Sequence, residues 1–157
     1  MEPYTLAMVM ADFAERISGF NFSILGTDIS TQALEKAASG IYDAERVQAV
    51  PEALKRKYLL RSKDKVKMLV RVVPELRRTI RFRRLNFMEE FSFQQPLDII
   101  FCRNVIIYFD RPTQEVLFAK FVRFLKPGGY IFIGHSESLA GMDLPLRQEA
   151  PTIYVKI

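Results

Sequence analysis

Leu6, Val9, Met10, Phe13 and Ile17 recur at spacings of three and four, with Thr5, Asp12 and Arg16 between them. That period marks one apolar face of a helix. Pro3 suits its first turn and Gly19 its stop. Residues 22–26 are a short apolar run that reads as a buried strand, ending at Thr27 and Asp28. Ser30 can cap a second helix through Lys36 or Ala38, with Gly40 just past its end.

The middle of the chain changes character. Pro51 opens a short helix through Tyr58. Residues 67–73 and 79–87 read as two strands, with 74–78 between them. Ile80 and Phe82 alternate with Arg81 and Arg83, giving one apolar and one basic face. The expectation is a small antiparallel excursion, an inserted β-subdomain over about residues 62–85. Residues 97–102 then form an apolar strand, and Asp110 precedes Pro112 and a long helix to about Leu125. Lys126, Pro127, Gly128 and Gly129 stop that helix, and residues 130–134 form another buried strand. Residues 144–148 and 152–157 can close the sheet as a hairpin.

Strand–helix alternation with a closing strand pair predicts an α/β sheet with an antiparallel edge. A length of 157 residues fits one domain, and no internal repeat or low-complexity linker divides it. No apolar run approaches the ~20 residues that span a bilayer, and no basic segment followed by an apolar stretch opens the chain, so no secretory signal is expected. Cys102 is the only cysteine, which excludes an intramolecular disulfide and points to a reducing cytoplasm. One His and one Cys also argue against a zinc site built from such ligands, and no metal is expected.

Charge is uneven. Residues 61–84 hold ten Lys or Arg against Asp64 and Glu75, a local +8 in a chain of net +5. This suggests an acidic partner, although charged strands also simply keep a sheet edge soluble. Nucleic acid is disfavoured, because Phe82 and Phe87 are the only aromatics in residues 61–87 and single-strand binding calls for more.

Three strand ends can carry chemistry, since ligands of open α/β sheets bind beyond the carboxyl ends of the strands. Asp28 can accept both hydroxyls of a ribose or can cap the next helix. Asn86 can read an adenine edge or serve as a turn amide. In residues 101–110 (FCRNVIIYFD) a strand ends in Arg103 and Asn104, and Tyr108 can return toward them. The alternatives are a structural ion pair for Arg103 and a core position for Tyr108.

Residues 2–8 (EPYTLAM), 27–30 (TDIS), 101–110 and 134–137 (GHSE) resemble, in order, motifs of the chemotaxis methyltransferase (CheR) family. The resemblance covers essentially the whole chain and is most specific at residues 101–110. It implies a class I, Rossmann-like sheet that binds S-adenosylmethionine and carries a small antiparallel β-insert. It implies methylation of glutamate side chains on the cytoplasmic region of chemotaxis receptors, with S-adenosylhomocysteine as product. The positions of Glu2, Asp28, Asn86, Phe87, Arg103 and Asn104 would hold the cofactor, with Asp28 at the ribose and Asn86 at the adenine. Arg103 and Tyr108 would act at the methyl-transfer end. His135 has no required part in this chemistry.

The family's first motif normally opens with a strand and a Gly-containing loop ahead of Glu2, and an N-terminal helical domain precedes both. Without that strand the chain is expected to bind cofactor poorly and to self-associate through unpaired edges. Residues 61–68 also lack the glycine of members that dock on a tethering peptide. The competing reading is a non-catalytic module of the same fold that recognises an acidic receptor or signalling partner.

Overall fold

A computed structural model describes residues 1–64 and 66–157. The chain forms two compact units, Met1–Asn86 and Phe87–Ile157, where length alone led to the expectation of one.

The first unit opens with α1 (Glu2–Ala14), which has Pro at its start. Its buried face is Tyr4, Ala7 and Met8, backed by Ala11. The expected face is therefore corrected: Val9, Phe13 and Ile17 are 58%, 45% and 44% exposed. Both stripes have helical spacing, and the one that carries Tyr4 and Met8 is the one that packs into the core. Strand β1 (Ile24–Asp28) leads to α2 (Thr31–Ser39). The Ser30 hydroxyl accepts the N–H of Ala33 at 3.2 Å, and Gly40 ends α2 at φ 66°, as expected.

Next come β2 (Ile41–Asp43), α3 (Glu52–Tyr58), β3 (Leu59–Arg61), β4 (Leu69–Val72), the one-turn α4 (Pro74–Arg77) and β5 (Ile80–Arg84). The strands at 67–73 and 79–87 do not pair with each other. β4 is the middle of an antiparallel sheet ordered β2-β4-β3, whereas β5 pairs in parallel with β1. The insert expected over about 62–85 is thus shifted: the antiparallel sheet draws on residues 41–72. α4 fills the gap where a hairpin turn was expected, buries Leu76, and redirects the chain to β1. Both sheets share one core, centred on Tyr4, Met8, Tyr42, Val70, Val72 and Leu76.

The second unit has β6 (Leu97–Cys102), α5 (Arg111–Phe124), β7 (Leu125–Ile133), β8 (Leu146–Ala150) and β9 (Ile153–Lys156), with strand order β6-β7-β9-β8. β6 and β7 are parallel, and β9 and β8 add antiparallel, as the expected closing hairpin. Asp110 caps α5, its carboxylate accepting the Thr113 N–H at 3.0 Å. Residues 126–129 were expected to separate helix from strand. Instead they sit inside β7 as a bulge, with the register jumping from Leu97↔Leu125 to Ile99↔Tyr130. One face of β6 and β7 packs Ile100, Cys102, Ile131 and Ile133 with Phe118, Phe121 and Val122 of α5. The other face is open: Ile99, Phe101 and Tyr130 are 39–41% exposed, and Phe101 stacks on Phe132 at 4.6 Å. These strands are half-buried rather than fully buried. No helix among the described residues is long and apolar enough to cross a membrane.

Candidate cofactor site

In the first unit, parallel pairing sets Asp28 opposite Arg84, and the N–H of Leu85 donates to the Asp28 carbonyl at 3.0 Å. Asp28 and Asn86 therefore share one carboxyl-terminal edge. The Asp28 Oδ1 accepts the N–H of Ser30 at 2.9 Å, an Asx turn that leads into α2. Ser30, not Asp28, is the helix cap. The exposed carboxylate keeps Oδ2 without a hydrogen bond among the described residues. Glu2 is the first residue of α1 and is exposed. Its neighbour Pro3 lies over Gly26, where a Cβ would stand 3.6 Å from the proline ring. That close approach carries the start of α1 to β1, two residues before Asp28. Glu2, Asp28 and Asn86 are thus gathered around one parallel pair.

In the second unit, Arg103 and Asn104 are exposed immediately beyond β6, as expected. Asn104 is left-handed at φ 58°, a conformation that Asn tolerates better than most residues. Residues 106–108 form one 3-10 turn in which Ile106 is buried and Tyr108 is 80% exposed. The core alternative for Tyr108 is thereby removed. Phe87 lines an apolar cleft of about 230 Å³ with Phe109, Pro112, Val116 and Leu117, and Lys120 borders it. Arg103, Asn104 and Tyr108 do not line that cleft.

The turn after β7 holds the unit's one buried charged residue among those described, Glu137. Its Oε1 accepts the N–H groups of Val105 and Ile106 at 3.1 and 3.2 Å, and its Oε2 accepts that of Gly134 at 2.5 Å. Glu137 lies within the GHSE motif, whose sequence alone assigns it no task. The available signal was a glycine at a strand end followed three residues later by an acid. Cys102, beside it at the end of β6, is buried, and burial pushes its thiol up to about 12, with the Glu137 charge acting the same way.

The sequence profile of the CheR methyltransferase, SAM binding domain, family matches residues 1–155. The chain belongs to the CheR methyltransferase family. Both units of this CheR domain fall within the match. It is similar to the chemotaxis protein methyltransferase of Borreliella burgdorferi, 43% identical over 158 residues, covering 99% of this chain and 54% of that protein. That of Klebsiella aerogenes is 40% identical over 154 residues, 98% of this chain and 53% of the relative. That of Escherichia coli is 38% identical over 154 residues, 98% of this chain and 54% of the relative. The chain thus spans about half the length of these relatives.

Proposed function

We propose that the protein containing this chain methylates glutamate side chains of chemotaxis receptors, with S-adenosylmethionine as methyl donor. The observation that carries the reading is a repeated placement. Both parallel strand pairs carry polar residues at a carboxyl end: Asp28 closes β1 and Asn86 follows β5 by two residues, while Arg103 and Asn104 directly follow β6. The family match and the names of the relatives support the same reading.

The donor set fits the cofactor. The Asp28 carboxylate has an oxygen available for a ribose hydroxyl. The Asn86 amide offers both a donor and an acceptor for an adenine edge. Glu2 supplies a carboxylate for the cationic methionine end. When bound, S-adenosylmethionine would supply a sulfonium-activated methyl for transfer to a carboxylate oxygen, with the neutral thioether S-adenosylhomocysteine as the leaving product. A glutamate with a pKa near ~4.3 is already an anion at neutral pH, so no general base is required of this chain. Arg103 and Tyr108 orient that carboxylate by hydrogen bonds. The exposed hydroxyl of Tyr108 suits this task.

The basic residues of the first unit provide the receptor-facing charge: Arg71 on β4, with Arg81 and Arg83 on β5, all exposed. Calorimetry with S-adenosylhomocysteine, followed by labelled methyl transfer to a receptor fragment, tests the proposal in the full-length protein. Cofactor-product binding with a base-labile methyl ester on receptor glutamates is expected. Binding of receptor with neither cofactor affinity nor transfer would support the non-catalytic module instead.

A further inference from the structure

Glu137 is only 8% exposed, yet no Lys, Arg or His pairs with it among the described residues. Burying a carboxylate without a cation costs several kcal/mol before compensation. Three backbone N–H groups supply the compensation here, as charge-assisted hydrogen bonds. An apolar side chain could fill the same space more cheaply. What the carboxylate adds is direction.

The N–H of Val105 belongs to the peptide plane that carries the Asn104 carbonyl. Fixing that N–H, and the next one at Ile106, fixes the turn in which Asn104 is left-handed. Arg103 and Asn104 directly precede these two donors, and Tyr108 follows two residues later. Contact between the turns is close: a Cβ on Gly134 would stand 2.7 Å from Oε2 of Glu137 and 3.3 Å from the backbone nitrogen of Asn104.

The turn that carries Glu137 is itself tied down. Arg111 donates to the Ser138 carbonyl at 3.2 Å and also to that of Ala140. The buried Leu139 donates its N–H to the Tyr154 hydroxyl at 3.3 Å. Glu137 therefore acts from a fixed base on the strand-end turn.

We propose that Glu137 is a positioning residue: through the N–H groups of Val105 and Ile106 it holds residues 103–108 in the geometry that presents Arg103, Asn104 and Tyr108 for methyl transfer. Its catalytic part rests on the function proposed above.

Glu137→Ala and Glu137→Gln in the full-length protein test this by amide exchange and steady-state kinetics together. The Val105 and Ile106 amides should lose about tenfold or more in protection while those of Phe118 and Ile131 keep theirs. Turnover should fall at least about tenfold with KM for receptor changed less than about threefold. Glu137→Gln should be intermediate, since its amide oxygen can still accept from Val105 and Ile106 while its NH2 opposes the Gly134 N–H. If Glu137→Ala does not fold, Glu137→Gln decides. Retained protection at Val105 and Ile106 overturns the proposal, as does lost protection with unchanged turnover. A wild-type protein that transfers no methyl overturns the proposed function instead. The positioning role is then judged on exchange and on S-adenosylhomocysteine affinity, and an unchanged affinity in Glu137→Gln overturns it.

Discussion

The backbone N–H of Leu85 donates to the carbonyl of Asp28 at 3.0 Å, extending the β1–β5 ladder one step past the last strand residue of β5. This bond ties the Asp28 backbone to the segment that delivers Asn86. The Asp28 side chain shapes the turn through Oδ1 and the Ser30 N–H, and its Oδ2 accepts no hydrogen bond among the described residues.

Asp28→Asn retains an oxygen for the Ser30 N–H but removes the charge, whereas Asp28→Ala removes both. Each should weaken S-adenosylhomocysteine binding, Asp28→Ala by about 1–3 kcal/mol, the range for hydrogen bonds to a charged group. Thermal stability should fall only in Asp28→Ala. Calorimetry and a melting curve on the same samples make the check. Full affinity in both variants would mean that Asp28 serves the turn alone.

Tyr108 is 80% exposed, so its hydroxyl contributes little to folding. Tyr108→Phe should leave the melting temperature unchanged. It should lower turnover by about tenfold or more, with a smaller change in cofactor affinity. Wild-type turnover would leave the exposed ring without a catalytic part.

Arg81 and Arg83 alternate along β5 on its basic side. Reversing both to Glu should slow association with an acidic receptor surface, and the wild-type rate should fall as salt rises. Stopped-flow association at two ionic strengths reads both effects. A salt-independent wild-type rate would dismiss the patch.

Much of this site was legible as local chemistry. Ser30, Gly40 and Asp110 announce helix ends through their own side chains or φ preference, and the structure agrees at all three. The faults lie where distant partners decide. β2 and β3 have three residues each and exist because β4 lies between them. β5 looked like half of a hairpin because Pro74 stands between two basic strands, but its partner is β1, more than fifty residues earlier. On α1, Val9 and Phe13 outrank Ala7 in hydrophobicity, yet Ala7 lies on the stripe with Tyr4 and Met8 that packs into the core. Glu137 escaped because acids after strands are ordinarily solvated.

Alkaline pH should reveal the buried thiol and phenol. Burial pushes Cys102 up to about 12, from an ordinary value near ~8.5. Tyr42 is likewise raised to about 12 by burial, with Tyr4 adding to the shift. The folded state holds these protons more tightly than the unfolded chain. The resulting stability is complete below the unfolded values and is lost as pH climbs toward 12. Urea midpoints should therefore be flat from about pH 7 to 8 and fall above about 9, less steeply in Cys102→Ala. Native Cys102 should also resist alkylation at pH 8 until the protein is unfolded. Rapid alkylation of the native protein would contradict its burial.

Gly26 tests the coupling between packing and site in the first unit. A Cβ there would stand 2.8 Å from two ring atoms of Phe82, which β1–β5 pairing sets directly opposite. The ring has little room to yield, because its other neighbours include Tyr4, 6.1 Å away between centroids and fully buried. On the other side the same Cβ would meet Pro3, which carries Glu2. Gly26→Ala should thus cost about 1–3 kcal/mol of stability, the usual range for overpacking. It should also weaken S-adenosylhomocysteine binding by shifting the start of α1 away from Asp28. Because the clash is with one side chain, the double variant Gly26→Ala with Phe82→Leu should recover part of both losses, giving a coupling energy of about 0.5–3 kcal/mol between neighbours. Denaturant titrations of the four proteins measure it directly. Strict additivity would show that the Phe82 ring moves freely and that Gly26 is required for another reason.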